Sequence, residues 1–242
     1  MLKVQYEKLV APTITELVES KIQKAILSGE LAIGEKLPPE RELAEKMGIS
    51  KSAVHLGLKN LERAGFIRIE PRQAVYVANW EESGGLETLT ALLRSNVLKL
   101  EPENIKSLIT VRKSLEDDAM RVLAKCHNNA DILKLRSLAL EIRDGRLQNP
   151  PLSDMELAER AFKFTHYICF RSKNTFSSLI LNAFKPFTLT LWAEWIKQIG
   201  PEQAYSYLDQ TALALRDGDA ETAIGIVYRY NADFLERIQQ SI

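Results

Sequence analysis

The stretch from Leu37 to Val77 constrains the chain most. It reads LPPERELAEKMGISKSAVHLGLKNLERAGFIRIEPRQAVYV, and its apolar period changes along the way. Leu43, Ala44 and Met47 recur at helical spacing, as do Val54, Leu58 and Leu61, whereas Ile67 and Ile69 alternate with Arg68 and Glu70. The pattern predicts a short helix from Pro39 to Met47, a turn at Gly48-Ile49-Ser50 and a second helix from Lys51 to about Ala64. Two strands, Phe66 to Glu70 and Ala74 to Val77, then form a hairpin with Arg72 and Gln73 at its tip. Gly48 falls where the chain must leave the first helix through a left-handed residue, which a side chain disfavours. Ser50 is placed to accept a hydrogen bond from a free N–H of the second helix. The first turn of that helix carries Lys51, Ser52 and His55, with the apolar residues behind them. Polar groups forward and core residues back is what a helix entering a DNA major groove requires, and the hairpin tip is where a wing meets phosphate or minor groove. On the helix pattern alone, a purely structural or protein-binding unit stays open.

The same residues resemble the DNA-binding domain of the GntR family of bacterial regulators. The likeness rests on Leu37-Pro38-Pro39-Glu40-Arg41-Glu42-Leu43-Ala44, on the Gly48-Ile49-Ser50 turn and on Leu61-Glu62-Arg63-Ala64-Gly65-Phe66-Ile67. Ile26 to Leu31 and Gly34 to Leu37 fit the family's first helix and its exit. The resemblance implies a winged helix-turn-helix that contacts DNA through Arg41, Ser50, Lys51, Ser52, His55, Arg72 and Gln73. It departs from the family's pattern at His55 and Lys51, which stand for arginines, and at Pro71 and Arg72, which stand for a His and the wing-tip Gly. Lysine lacks arginine's two-pronged fit to guanine, so the resemblance does not carry the family's operator sequence over to this chain.

The formal net charge is zero, which argues against a non-specific polyanion binder. Residues 1–80 hold twelve Lys and Arg against ten Asp and Glu, so tight binding needs base contacts or dimerisation. The two cysteines, Cys126 and Cys169, lie far apart and read as free thiols. With no signal-peptide pattern and no apolar run of about 18 residues, the expectation is a cytoplasmic protein with no membrane partner.

Upstream, Thr13 to Ser28 reads as an amphipathic helix with capping-box spacing at Thr13 and Glu16 and a buried stripe of Ile14, Leu17, Val18, Ile22 and Ile26. The expected division is a winged domain over 1–77, a polar, Gly-rich linker over 78–85 with Trp80 as its large aromatic, and an all-α bundle over 86–242. About seven helices are expected there: Leu86 to Lys99, Glu103 to Cys126, Ala130 to Arg146, Ser153 to Arg171, Thr175 to Gln198, Pro201 to Arg216 and Ala220 to Gln240. The fold class is therefore mostly α.

Nothing in the bundle points to catalysis. The three histidines, His55, His127 and His166, form no metal-ligand or nucleophile spacing, and paired carboxylates such as Asp117-Asp118 diverge around a helix. The resemblance brings a metal question, because regulators with a helical second domain often hold a divalent ion through an Asp and three His. Those positions fall on Ala161, Thr165, Leu208 and Tyr230, and His166 is one place out of register, so no metal is expected.

Within the family the chain resembles most the fatty-acid-responsive, FadR-type subgroup, which takes long-chain acyl-CoA. The shared residues are Asn79-Trp80-Glu81-Glu82-Ser83-Gly84, Leu86-Glu87-Thr88-Leu89, Asn174, Ser178 to Asn182 with Lys185, and Arg229-Tyr230. An acyl-CoA site needs an apolar tunnel with cations at its mouth. Phe162, Phe164, Tyr167, Phe184, Phe187, Trp192 and Tyr228 suit such a tunnel, and they equally suit plain core. The resemblance adds Thr188, where the subgroup has a ligand-facing Tyr, together with Arg229 and Tyr230, while Phe234 departs from it. The expectation is a non-enzymatic, homodimeric transcription regulator that binds a pseudo-palindromic double-stranded operator under control of a small effector, acyl-CoA first. The alternatives are a regulator with a carboxylate effector or none, and a protein-binding module.

Overall fold

The computed structural model describes residues 11–70, 74–94 and 102–240. The chain divides into two compact units, Met1–Val97 and Leu98–Ile242.

The first unit begins with α1 (Ile14–Leu27), whose start carries the expected capping box. The Thr13 hydroxyl accepts from the Glu16 N–H at 3.2 Å, and the Glu16 carboxylate accepts from the Thr13 N–H at 2.7 Å. Val18, Ile22 and Ile26 are buried, whereas Ile14 and Leu17, expected in the same stripe, are each 54% exposed. Helix α2 (Glu40–Met47) ends at Gly48, whose φ of 66° and ψ of 35° are left-handed. Helix α3 (Lys51–Arg63) starts at Ser50, whose hydroxyl accepts from the Ala53 N–H at 3.2 Å. Helices α1 and α3 pack closely: a Cβ built on Gly57 would lie 2.9 Å from Val18 Cγ1. Glycine therefore stands inside α3, despite its helix cost, because α1 occupies the space of a side chain.

Strands β1 (Ile67–Glu70) and β2 (Ala74–Val77) pair antiparallel with Ile67 opposite Val77 and Glu70 opposite Ala74. The segment before α2 adds to β2 through Leu37 N–H to the Val75 carbonyl, 2.9 Å. Leu37, Leu43, Val54, Leu58, Leu61, Phe66 and Val77 complete the core. The stretch expected to be a linker carries a helical turn, α4 (Trp80–Ser83), and Trp80 packs on Phe66 with ring centroids 6.3 Å apart. Helix α5 (Leu86–Arg94), expected to open the bundle, belongs to this first unit instead; the expected continuation to Lys99 lies outside the described residues.

Among the described residues the second unit holds seven helices: α6 (Pro102–Cys126), α7 (Asn129–Asp144), α8 (Asp154–Arg171), α9 (Thr175–Ala183), α10 (Lys185–Ile199), α11 (Pro201–Arg216) and α12 (Ala220–Gln240). Helix α11 packs on α7 and α12, α8 on α6, α7 and α10, and α12 on α6. The helix expected over Thr175 to Gln198 is broken at Phe184, which ends α9 and starts α10. Pro186 explains the break. It brings no N–H to a continuous helix, its ring would meet the carbonyl of Asn182, and it is well suited to the first turn of a new one. The end of α7 also differs from expectation, passing into a short 3-10 turn at Gly145–Leu147. At its start, the Asp131 carboxylate accepts from Arg171 at 2.7 and 3.0 Å, from the Tyr167 hydroxyl at 2.8 Å and from the Asn128 N–H at 3.0 Å, tying α7 to the end of α8.

Candidate nucleic-acid interface and effector pocket

Helix α3 turns two unlike faces outward and inward. Val54, Gly57, Leu58 and Leu61 are buried, and Lys51, Ser52, His55, Leu56 and Lys59 are exposed. The structure thus brings Lys51, Ser52 and His55 onto one accessible face. Ser50 sits at its edge with its oxygen committed to capping. Arg41, on α2, has a side chain 86% exposed and a 3.0 Å ion pair with Glu45, which a phosphate can displace at little cost. Arg72 and Gln73 lie outside the described residues. The wing is fixed to the helix by Glu62, which accepts from the Ile69 N–H at 3.0 Å and pairs with Lys59 at 2.8 Å. The Lys59 bond, with that of Ile69, lowers the Glu62 pKa against the opposing effect of burial.

Two features of this face were not singled out from the sequence. Glu40 Oε1 lies 2.7 Å from His55 Nδ1, so the imidazole is held from the neighbouring helix. Leu56, 52% exposed, adds an apolar side chain to an otherwise polar face. Their fifteen-residue separation hides the first from the sequence, and helical spacing hides nothing of the second: Leu56 simply lies off the buried stripe.

In the helical unit, four rings cluster between α10, α11 and α12. Trp195 lies 5.1 Å from Trp192, 5.6 Å from Tyr207 and 5.0 Å from Tyr230, centroid to centroid. Beside them runs a narrow cleft of about 20 Å³ lined by Ile109, Arg112, Leu191, Trp192, Tyr230 and Phe234, among others. Arg112, in this wall, pairs with Glu116 behind it, with side chains only 9% and 4% exposed and Nη2 2.6 Å from Oε1. Burial works against the Arg112 charge, but the Glu116 carboxylate outweighs it and raises the guanidinium pKa. Burial likewise raises the Tyr230 phenol. A second cavity, about 10 Å³, lies among Glu116, Phe164, Thr165, Leu208, Thr211 and Tyr230.

The ten residues expected at an effector site are therefore spread over several places. Trp192 and Tyr230 line the first cleft, and Phe164 and Tyr230 the second cavity. Phe162 stacks on His166 at 5.7 Å, with Lys185 Nζ 5.4 Å from its ring. Tyr167 is bonded to Asp131, and Phe184 and Phe187 are buried about the α9–α10 break. Thr188 is fully buried, and its hydroxyl has no partner. Tyr228 is exposed against Lys113, bonded to Asp117 at 3.1 Å, and Arg229 is exposed. Trp195, Tyr207, Arg112 and Glu116 were not singled out from the sequence. The last two have the i, i+4 spacing of an ordinary surface pair, and only tertiary packing buries them.

Thr165, Leu208 and Tyr230, three of the positions where the resemblance places metal ligands, do line one cavity. A hydroxyl, an isobutyl group and a buried phenol do not make a divalent-metal donor set, so the residues present do not fit such an ion. Among the described residues no group of three or more His, Cys, Asp or Glu side chains is placed to hold a metal. His166 is half-buried, its Nε2 has no partner, and burial followed by the nearby Lys185 charge lowers its pKa. No helix among the described residues is long and apolar enough to cross a membrane.

Comparison with known proteins agrees with the fold. Residues 14–77 match the model of bacterial regulatory proteins, gntR family. The Glc operon transcriptional activator of Escherichia coli is 29% identical over 161 residues, spanning 66% of this chain and 61% of that protein. The fatty acid metabolism regulator protein of Proteus mirabilis is 26% identical over 216 residues, 89% of this chain and 86% of that one. Among solved structures, Lar, described as controlling expression of the Listeria monocytogenes agr system, aligns over 96% of this chain and 99% of its own at 16% identity, with a TM-score of 0.62, which shows a shared fold.

Proposed function

We propose that the chain, whose residues 14–77 match the gntR family, is a transcriptional regulator: a homodimer binds a pseudo-palindromic operator through α3 and the wing, under control of a long-chain acyl-CoA taken up by the helical unit. The observation that carries the DNA half is the two-faced α3, capped by Ser50, backed by a buried apolar stripe and fronted by Lys51, Ser52 and His55. Two copies present two such helices to successive major grooves, which is why the operator is a pseudo-palindrome. The effector half is supported by the likeness to a fatty acid metabolism regulator over 89% of the chain. Regulation then requires the effector to bind the DNA-competent and DNA-incompetent forms with different affinity.

The cleft qualifies the acyl-CoA reading in a useful way. At about 20 Å³ it has room for roughly one water molecule. A long acyl chain needs far more room, so its entry there requires the lining side chains to move. A second reading, a compact carboxylate effector, needs less room to open but must share Arg112 with Glu116, which already accepts two of its hydrogen bonds.

A thermal-shift titration of the full-length protein with palmitoyl-CoA, free CoA, palmitate, short mono- and dicarboxylates, and Zn²⁺ separates these. A ligand at about 100 times its Kd stabilises by roughly 2.7 kcal/mol, several degrees for a protein of this size. A shift with palmitoyl-CoA and not with CoA or palmitate supports the first reading. A shift with a short carboxylate alone replaces it with the second.

A further inference from the structure

His55 stands on the exposed face of α3, yet its ring is held by another helix. Its Nδ1 lies 2.7 Å from Glu40 Oε1 on α2. A carboxylate only accepts, so the proton of that bond is on Nδ1. The His55 side chain is 56% exposed against 26% for Glu40, so the shared bond lies on the protein side and the far edge of the ring faces outward. That edge carries Nε2, which has no partner among the described residues. Nε2 is a lone-pair acceptor when the ring is neutral and an N–H donor when it is protonated.

The other charged groups around the ring are accounted for. Helix α2 also supplies Arg41, engaged with Glu45 at 3.0 Å. On α3 itself, Lys51 lies one turn before His55 and Lys59 one turn after, the latter paired with Glu62 at 2.8 Å. Glu40 is the one of these that touches the imidazole.

We propose that Glu40 is a positioning residue for base recognition: by holding Nδ1–H toward the protein it leaves Nε2 as the reading atom of His55, so the base accepted there changes with protonation of the ring. The neutral ring accepts from the exocyclic amine of adenine N6 or cytosine N4. The protonated ring donates to guanine O6 or N7, or to thymine O4. Without Glu40 the neutral ring is free to place its proton on either nitrogen, and both classes of base are tolerated. This rests on the reading of α3 as the DNA-contacting helix.

The test is selection of a random-sequence duplex library by full-length protein at about pH 8 and about pH 5.5. Wild type, Glu40→Gln and His55→Ala are compared, with melting temperatures confirming that each variant is folded. For the wild type, one position per half-site changes from A or C at the higher pH to G or T at the lower, by on the order of fivefold, while the other positions stay as they were. His55→Ala loses preference at that position alone. Glu40→Gln, whose amide both donates and accepts, accepts both classes at the higher pH. An identical selected site for wild type at both pH values, unchanged in Glu40→Gln, overturns the proposal. Failure of the wild type to enrich any sequence sinks the reading of α3 itself, and this inference with it.

Discussion

Replacing Glu116 by leucine strands a cation in the helical unit. In the native protein the Arg112 and Glu116 side chains are 9% and 4% exposed, and Arg112 gives two hydrogen bonds to Oε1, 3.0 Å from Nε and 2.6 Å from Nη2. Removing one partner of a buried pair costs roughly 3–5 kcal/mol, because the remaining charge has lost its compensation without regaining water. Removing both is far cheaper, since each ion paid a desolvation cost to be there. Glu116→Leu is therefore expected to lower the melting temperature of the helical unit by on the order of 10 °C, and Arg112→Met/Glu116→Leu to recover most of the loss. The transition is read by fluorescence of Trp192 and Trp195, residues only 4% and 2% exposed, which line the cleft with Arg112. A double-mutant cycle in urea then gives the coupling directly. If the single variant costs less than about 1 kcal/mol, or the double variant is no better than the single, the pair is more hydrated than its burial implies and the account of the cleft wall is wrong.

Two further changes probe the frame around the sites. Burial pushes the Asp131 carboxyl up, but Arg171, the Asn128 N–H and Tyr167 together outweigh it and bring its pKa to about 2. A carboxyl lowered on folding adds stability above its unfolded pKa and loses it as pH falls through the folded value. Asp131→Asn should thus cost about 2 kcal/mol at pH 6, with the gap to wild type narrowing between about pH 4 and pH 2; a gap that does not change with pH in denaturant melts contradicts this. Gly57→Ala puts a methyl 2.9 Å from Val18 Cγ1, so despite better helix propensity it should destabilise the winged unit by about 1–3 kcal/mol; a variant as stable as wild type in urea denaturation shows that α1 yields easily.

Much of the winged unit was legible because its signals are local. Gly48 at the left-handed exit of α2, Ser50 as cap of α3 and the Thr13–Glu16 box each concern residues within one turn. The break at Phe184 was also local, written in Pro186, but an unbroken apolar pattern on both sides masked it. What periodicity does not carry is depth. Ile14 and Leu17 share helical spacing with Val18, Ile22 and Ile26, yet only the latter three are covered. The aromatic residues of α8 and α10 mark buried faces without saying which of them share a cleft, so Trp195 and Tyr207 were missed and Phe162, Tyr167 and Tyr228 went to other contacts. The Glu40–His55 contact joins two helices across the turn, and no spacing rule within a helix reports it.

The most direct measurement is the affinity of full-length protein for a duplex selected by the wild type, read by fluorescence anisotropy at fixed salt, for wild type and for Lys51→Ala/His55→Ala. The double variant removes one phosphate- or guanine-directed cation and one base reader from the exposed face of α3. Each such contact is worth roughly 1–3 kcal/mol, so the selected duplex should bind on the order of a hundredfold more weakly, with binding to random duplex much less affected. Equal affinity of the two proteins for the selected duplex would contradict the claim that α3 reads the operator.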